Sequence, residues 1–231
     1  MSVLQEKSMP AANFKIEPNI LDYGQFDVWR AKGNPDSNLL SPEELDRLHA
    51  ISSQNARQTF LLSRCAIISI VKYYTKNCDF ISEVQTHPGG KPFLINLPDL
   101  HFSLSHTGSE VALVFSRSPV GFDMEKSDRR IDFLALAKRF FTAAELAGIV
   151  AAGMDSGSSF LELWTAKEAI LKLEGTGISG GLDRARILSE LDGDLDGRRV
   201  YLQRIEWPGL IGKLASFEKP VAVRMRELIL Q

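Results

Sequence analysis

The sequence predicts an α+β protein of two similar lobes, each with a small antiparallel sheet packed against a long helix. The 231-residue chain is 44% hydrophobic and contains 13 Phe, which is enough apolar surface for a core and excludes a disordered protein. Both halves combine segments of helical period with short alternating runs typical of antiparallel strands. The length suits one large domain or two small ones. We place the lobe boundary between residues 1–118 and 119–231.

The N-terminal lobe is predicted to contain two helices and two strands. Ser41 to Glu44 combine an N-cap serine, an early proline and the glutamate of a capping box, which predicts a helix start. Residues 54–76 repeat apolar side chains at helical spacing and predict a long helix. The glycine- and proline-rich segment 87–92 is predicted as a loop. Residues 101–105 and 110–115 have the apolar content and alternation of strands.

The C-terminal lobe is predicted to begin with a strand at residues 120–125, which forms a hairpin with the preceding strand across Ser118-Pro119. A capping box at Thr142 and a natural C-cap at Gly175 mark helix ends, and the serine-rich segment 155–159 is predicted as a surface loop. The predicted helices cover residues 131–141, 143–152 and 160–174. Three runs near the end are predicted as antiparallel strands, at residues 199–207, 210–217 and 221–226.

The charge balance and the apolar runs exclude several classes of partner. The net charge is −2, which provides no broad basic surface for nucleic acid. The longest nearly apolar run, residues 65–71, is far shorter than the roughly 20 residues that span a bilayer, and the N-terminus lacks a basic-then-apolar signal pattern. Cys65 and Cys78 suit neither a disulfide framework nor a zinc site. We therefore expect a cytoplasmic protein without a membrane or nucleic-acid partner, and the two-lobe interpretation favours a monomer.

Two acidic residues on one predicted strand are a candidate metal site. Strand alternation places Asp123 and Glu125 on the same face, with apolar residues on the other. A cation would relieve the repulsion between them, and carboxylate oxygens suit Mg²⁺. The alternative is an acidic strand end in solvent, paired with Arg129 or Arg130.

Two further candidates lie on other predicted elements. Glu168 and Lys172 are four residues apart on the last predicted helix and share a face, although such spacing is also typical of a weak exposed ion pair. Lys91 in the glycine-rich loop, with Ser105 and His106 at a strand end, would suit a phosphate clamp. The alternative is a set of ordinary loop residues. The sequence has no Walker A loop, dinucleotide fingerprint, H-E-x-x-H helix or G-x-S-x-G elbow.

Five short segments lie in one order along the chain: GKP at 90–92, FSLSHT at 102–107, GFDME at 121–125, RFFTAAE at 139–145 and WTAKEAILK at 164–172. Together they resemble the 4′-phosphopantetheinyl transferases, specifically the larger single-chain type that activates surfactin-like peptide synthetases. Arg57 resembles the arginine that this family places at the start of its first long helix. Phe122 and Met124 differ from the Ile or Val that is usual in the family at these core-facing positions.

The resemblance implies the pseudo-two-fold fold of that family and its reaction. The enzyme would move the 4′-phosphopantetheine arm of coenzyme A to a serine hydroxyl of an apo acyl or peptidyl carrier protein, releasing adenosine 3′,5′-bisphosphate. The N-terminal lobe would contact the nucleotide, and the C-terminal lobe would carry the metal and catalytic residues. Two alternatives stay open: a non-catalytic coenzyme A or nucleotide-binding module, and a Mg²⁺-dependent diphosphate hydrolase.

The resemblance also assigns roles to individual residues. Glu168 and Lys172 would be catalytic, Glu168 as the base and Lys172 as the cation beside the diphosphate. Mg²⁺ would be held by Asp123, Glu125 and Glu168. The coenzyme A contacts would be Arg57, Lys91, Pro92, Ser105, His106, Asp123 and Lys172. For Glu145 two interpretations stay open, a capping role and a catalytic one.

Overall fold

The structure is a computed structural model that describes residues 16–17, 20–77, 84–176 and 181–231. This part of the chain forms five helices and eleven strands. The helices are α1 (Pro42–Ala50), α2 (Gln54–Thr75), α3 (Phe133–Phe140), α4 (Ala143–Ala151) and α5 (Ser156–Glu174). The strands are β1 (Gln25–Gly33), β2 (Val84–Thr86), β3 (Pro92–Leu94), β4 (His101–Thr107), β5 (Glu110–Ser116), β6 (Val120–Lys126), β7 (Ala185–Ile187), β8 (Asp192–Leu195), β9 (Arg198–Trp207), β10 (Leu210–Ser216) and β11 (Ala222–Leu230).

Two sheets, each covered by one long helix, confirm the two-lobed α+β fold. The first sheet has the order β11-β1-β5-β4 and the second β6-β10-β9-β8-β7. Tyr74 of α2 packs with Phe102 and Phe115 of the first sheet, and Trp164 of α5 packs in a second core with Leu202 of the second sheet. In each lobe the helix buries its apolar face on one side of the sheet, which is how such layers are stabilised.

Local sequence signals set the helix ends as predicted. Ser41 caps α1 and Thr142 caps α4, each through a complete capping box with the glutamate three residues on. Gly175 ends α5 with a φ of 97°, a left-handed conformation that glycine adopts without steric cost. Helix α5 nevertheless starts at Ser156 rather than at residue 160. The predicted loop at 155–159 is therefore mostly its first turn, because tertiary packing outweighs a weak local propensity.

The strand after Ser118-Pro119 does not form the predicted hairpin. Strand β5 is already paired on one side with β1 and on the other with β4, so it has no free edge for β6. The chain instead crosses between the sheets, and β6 pairs antiparallel with β10. The boundary at residue 118 stays a prediction.

The last strand also departs from the predicted antiparallel arrangement. Strand β11 leaves the second sheet, because β6 and β9 occupy both edges of β10, and it runs parallel to β1. Arg226 of β11 donates to the fully buried Asp27 of β1 (3.0 Å), which also accepts from Tyr74 (2.8 Å) and pairs with Arg224. A buried carboxylate is tolerated only with such partners, so this cluster fixes β11 against β1.

A third apolar core joins the two sheets and includes Phe26, Val114, Phe122 and Leu214. Cys65 is buried with a free thiol, and Cys78 lies outside the described residues. Among the residues that the structure describes, no helix combines the length and apolar character needed to cross a membrane.

Candidate active site

A cavity of about 530 Å³ lies where the two sheets meet, and its walls come from β4, β6, α5 and the turn of the β2–β3 hairpin. All the site residues predicted from the sequence except Arg57 line it. They are Lys91, Pro92, Ser105, His106, Asp123, Glu125, Glu168 and Lys172. The tertiary fold thus brings segments up to 81 residues apart in sequence to one cavity.

Strand β6 lies directly against α5 because Gly121 has no side chain. A Cβ at Gly121 would lie 1.9 Å from the Ala169 carbonyl oxygen and 2.4 Å from the Leu173 nitrogen. Alternation places Gly121, Asp123 and Glu125 on the same face of the strand. The acidic pair therefore faces the helix that carries Glu168 and Lys172.

Asp123 is 6% exposed and is held by two donors. Lys172 Nζ donates to its Oδ1 at 2.7 Å, and Ser105 Oγ donates to the same oxygen at 2.9 Å. Its Oδ2 is buried without a hydrogen-bond partner among the described residues. One carboxylate oxygen is thus fixed by the protein, and the other keeps its capacity for a ligand.

Glu168 is also 6% exposed, and its Oε1 has no hydrogen-bond partner within the described part of the chain. Burial, reinforced by the negative charge of Asp123, raises the pKa of Glu168 to about 7, although Lys172 acts in the opposite direction. A carboxylate with such a pKa is an effective proton acceptor near neutral pH.

Glu125 lies at the outer end of the acidic pair. Thr107 Oγ1 donates to its Oε2 at 3.1 Å, and Arg129 pairs with its Oε1. Burial raises the pKa of Glu125, and Arg129 partly offsets that shift. The pairing with Arg129 was one of the alternatives left open by the sequence, and it coexists with a place in the cavity.

Ser103 and Ser105 join the two sheets at the floor of the cavity. Ser103 Oγ accepts from the Phe122 N–H at 2.9 Å, and Ser105 Oγ accepts from the Met124 N–H at 3.1 Å. Side-chain hydroxyls of β4 thereby replace a backbone ladder between β4 and β6. The sequence analysis missed Ser103, although its two-residue spacing from Ser105 on a strand indicated a shared face.

Lys91 and His106 lie on the side of the cavity that is formed by the N-terminal half of the chain. The Lys91 ammonium donates to the Val120 and Leu173 carbonyl oxygens, both at 2.9 Å, and burial lowers the pKa of Lys91 to about 8. Partial burial and the nearby Lys172 lower the pKa of His106.

Arg57 is placed apart from the other predicted residues. It is exposed on the first turn of α2, and its Nε contacts the Ile51 carbonyl oxygen. Its neighbours Ala56 and Phe60 line an adjoining cavity of about 690 Å³, which shares His106 and three other residues with the first cavity.

Comparison with known proteins assigns this constellation to a family. The model of the 4′-phosphopantetheinyl transferase superfamily matches residues 119–208, which contain Asp123, Glu125, Glu168 and Lys172. 4′-Phosphopantetheinyl transferase Sfp of Bacillus subtilis (strain 168) is 31% identical over 161 residues, covering 68% of this chain and 70% of the relative. The chain belongs to the 4′-phosphopantetheinyl transferase family.

Other family members match over shorter or similar lengths. The transferase ffp of Bacillus subtilis is 31% identical over 169 residues, with 67% of this chain and 74% of the relative covered. The transferase psf-1 of Bacillus pumilus is 41% identical over 99 residues, 42% of each chain. The protein is therefore a phosphopantetheinyl transferase enzyme, as the sequence motifs predicted.

The donor set of this transferase fits a divalent cation. Three carboxylates supply the hard oxygen atoms that Mg²⁺ prefers, and two of those oxygens, on Asp123 and Glu168, are buried without a partner in the described residues. Within residues 16–17, 20–77, 84–176 and 181–231, however, no three His, Cys, Asp or Glu side chains are grouped closely enough to hold a metal ion. The carboxylates would have to move together to share one cation.

Glu145 has a structural contact that the sequence did not reveal. It closes the capping box of α4, accepting from the Thr142 N–H at 2.9 Å, and it pairs with Lys167 of α5 at 2.7 Å. Lys167 is fully buried and also donates to the Leu182 carbonyl oxygen at 3.0 Å. This pair ties α4 to the helix of the active site. Sequence reasoning had assigned no role to Lys167.

Replacing either serine of β4 by alanine tests the junction between the sheets. Ser103→Ala and Ser105→Ala should each destabilise the protein by about 1–3 kcal/mol, because a buried N–H of β6 loses its acceptor. Only Ser105→Ala should also lower the transfer rate, since Asp123 then loses a donor. Urea unfolding and rate measurements on the two variants check this expectation. Equal transfer rates in both variants would contradict a role for Ser105 in orienting Asp123.

The raised pKa of Glu168 predicts a pH-dependent stability in the metal-free protein. The folded-state value of about 7 exceeds the ordinary value of 4.5, so burial of this group favours the protonated form. Its contribution to stability is complete below about pH 4.5 and is lost as the pH rises through about 7. Wild-type protein should therefore lose stability relative to Glu168→Gln between about pH 5 and about pH 8 in a chelating buffer. A difference in unfolding free energy that is constant with pH would contradict the raised pKa.

Proposed function

We propose that this enzyme transfers the 4′-phosphopantetheine arm of coenzyme A to a serine hydroxyl of an apo acyl or peptidyl carrier protein, with Mg²⁺, and releases adenosine 3′,5′-bisphosphate. The observation that carries the proposal is the buried carboxylate of Glu168, whose Oε1 has no hydrogen-bond partner among the described residues and which shares a cavity with the Asp123–Lys172 ion pair. The relatives are named 4′-phosphopantetheinyl transferases, which supports 4′-phosphopantetheine as the transferred group.

Asp123, Glu125 and Glu168 would hold Mg²⁺, since their carboxylates line one cavity and two of their buried oxygens have no partner in the described part of the chain. A bound Mg²⁺ would neutralise negative charge on the diphosphate of coenzyme A. Ser105 would keep Asp123 oriented through its 2.9 Å hydrogen bond. The metal dependence follows from the donor chemistry of these three residues.

Glu168 and Lys172 would carry the chemical step. The carrier serine oxygen forms a bond to the phosphorus that bears the pantetheine, and the bond from that phosphorus to the bridging diphosphate oxygen breaks. Glu168, whose carboxylate lines the same cavity as Asp123 and Lys172, accepts the serine proton. Lys172, whose ammonium lies 2.7 Å from Asp123, stabilises the charge on the leaving phosphate. Displacement at phosphorus depends mostly on such positioning and charge neutralisation.

Coenzyme A would contact both lobes. Lys91, Pro92 and His106 line the side of the cavity that the N-terminal half of the chain forms. Arg57, whose neighbour Ala56 lines the adjoining cavity, would reach the nucleotide by releasing its contact with Ile51. Since both sheets of a single chain form the walls of the site, we also propose that the enzyme acts as a monomer. The net charge of −2 and the short apolar runs support a cytoplasmic enzyme that needs neither nucleic acid nor a membrane.

The experiment combines the purified protein with coenzyme A and Mg²⁺, with and without a panel of apo carrier proteins. We expect the carrier to gain the mass of one phosphopantetheine and adenosine 3′,5′-bisphosphate to appear in equal amount, and a chelator to stop both. Cleavage of coenzyme A without a carrier would indicate a diphosphate hydrolase. Binding of coenzyme A without any turnover would indicate a binding module. Either result would contradict the proposed transfer.

A further inference from the structure

We propose that Lys91 is a positioning residue, whose ammonium fixes the end of helix α5 against the start of strand β6 and thereby sets the distance between the two groups of catalytic side chains. This inference rests on the proposed function for its catalytic consequence. The role concerns the ammonium, which donates to backbone carbonyls of both elements, and it does not exclude a contact of the other Lys91 atoms with a ligand in the cavity that this residue lines.

The contacts of the Lys91 ammonium join three segments of chain. Lys91 lies in the turn between β2 and β3, where the His87 N–H donates to the Lys91 carbonyl oxygen at 2.9 Å. Its Nζ donates at 2.9 Å to the carbonyl oxygen of Val120, the first residue of β6, and at 2.9 Å to that of Leu173 in the last turn of α5. A surface loop thus reaches both elements of the active site.

The bond to Leu173 satisfies a helix end. The last four carbonyls of a helix lack partners within the helix, and here the Gly175 N–H donates to the Leu171 carbonyl at 2.8 Å. The Lys91 ammonium donates to the Leu173 carbonyl oxygen. A cation at the C-terminal end of a helix also interacts favourably with the helix dipole. Lys91 therefore acts as a C-terminal cap supplied from the other lobe.

The three segments approach too closely for side chains between them. A Cβ at Gly89 would lie 1.9 Å from the Gly175 carbonyl oxygen, and a Cβ at Gly121 would lie 2.4 Å from the Leu173 nitrogen. Because Gly89 and Gly121 have no side chains, the backbones of the hairpin turn and of β6 can pack directly against the backbone at the end of α5. The ammonium of Lys91 is the polar link at this junction, and its partial burial agrees with the lowered pKa.

The junction is close in sequence to the catalytic groups. Val120 is three residues before Asp123 on β6, and Leu173 directly follows Lys172 on α5. The Asp123–Lys172 contact of 2.7 Å depends on how these elements lie against each other. A displacement of about 1 Å at a reacting centre can cost on the order of 10²-fold in rate, so loss of the link should appear in kcat.

The test compares Lys91→Met, which keeps the stem but removes the ammonium, with Lys91→Arg, which keeps a cation with several N–H donors. We expect Lys91→Met to lower kcat about tenfold or more with KM for coenzyme A within about twofold of wild type, and Lys91→Arg to restore part of kcat. Amide hydrogen exchange in the last turn of α5 should become faster in Lys91→Met.

Three results would overturn the proposal. A raised KM with unchanged kcat would make the ammonium a substrate ligand, and unchanged kcat and KM would leave it without a role in the reaction. If both constants change, hydrogen exchange decides: faster exchange at the end of α5 supports the proposal, and unchanged exchange overturns it.

Two further measurements test the proposal if Lys91→Met does not fold or if the proposed transfer reaction is not observed. If Lys91→Met does not fold, the ¹⁵N signal of the Lys91 ammonium in the wild-type protein decides. It should not move when adenosine 3′,5′-bisphosphate is added, and a shift would overturn the proposal. If the wild-type protein transfers nothing to any carrier, the proposed function fails, while hydrogen exchange still reports on the link between Lys91 and α5.

Discussion

The Glu168→Gln variant is expected to lose transfer activity by a factor of about 10²–10⁴, the usual cost of removing a general base. Glutamine keeps the size and helix propensity of glutamate but cannot accept the serine proton and lacks the charge that would hold a cation. The buried Oε1 of Glu168 has no partner among the described residues, so the substitution breaks no hydrogen bond through that atom. The rate of holo-carrier formation, measured by mass spectrometry at saturating coenzyme A, checks this.

Glu174→Gln is the matched control on the same helix. Glu174 is exposed at the end of α5 and pairs with Arg184 outside the cavity of about 530 Å³. An exposed ion pair contributes about 0–1 kcal/mol, so this variant should transfer at the wild-type rate. If both variants keep the wild-type rate, Glu168 takes no part in the chemical step and the proposed mechanism is wrong.

The Gly121→Ala variant should lose at least about 3 kcal/mol of stability, a large share of the roughly 5–15 kcal/mol of a typical domain. Its Cβ would lie 1.9 Å from the Ala169 carbonyl oxygen, so β6 or α5 must move away. That movement separates Asp123 from Lys172, and any folded fraction should transfer more slowly than wild type. Urea unfolding measures the first effect and single-turnover transfer the second.

Gly148→Ala is the control for this substitution. Gly148 lies within α4, and a Cβ added there meets no atom within 4 Å. Alanine in an exposed helix interior is more favourable than glycine by about 0.5–1 kcal/mol. We therefore expect unchanged or slightly increased stability and normal transfer. Equal unfolding curves for Gly121→Ala and wild type would contradict the close approach of β6 to α5.

The fold class, most helix ends and most of the residues that meet in the cavity were predictable from the amino-acid sequence. Capping boxes at Ser41 and Thr142 and the glycine at 175 act within a few residues of chain, so they can be identified without tertiary information. The five ordered motifs indicated the family, and comparison with its members confirmed it. The alternation of Asp123 and Glu125 correctly placed both on one face of a strand.

The strand pairing and the hydrogen-bond partners at the site were not predictable from local sequence, because they depend on long-range packing. Strand β6 joined the second sheet and β11 the first because the strands before them had no free edge, a condition that depends on segments distant in sequence. Side-chain contacts at the site also join residues that are distant in sequence. Lys91 donates to carbonyl oxygens 29 and 82 residues away, and Lys167 of α5 forms an ion pair with Glu145 of α4. Local sequence fixes which groups are present, whereas long-range packing determines which of them are free for a ligand and which are used to hold the fold.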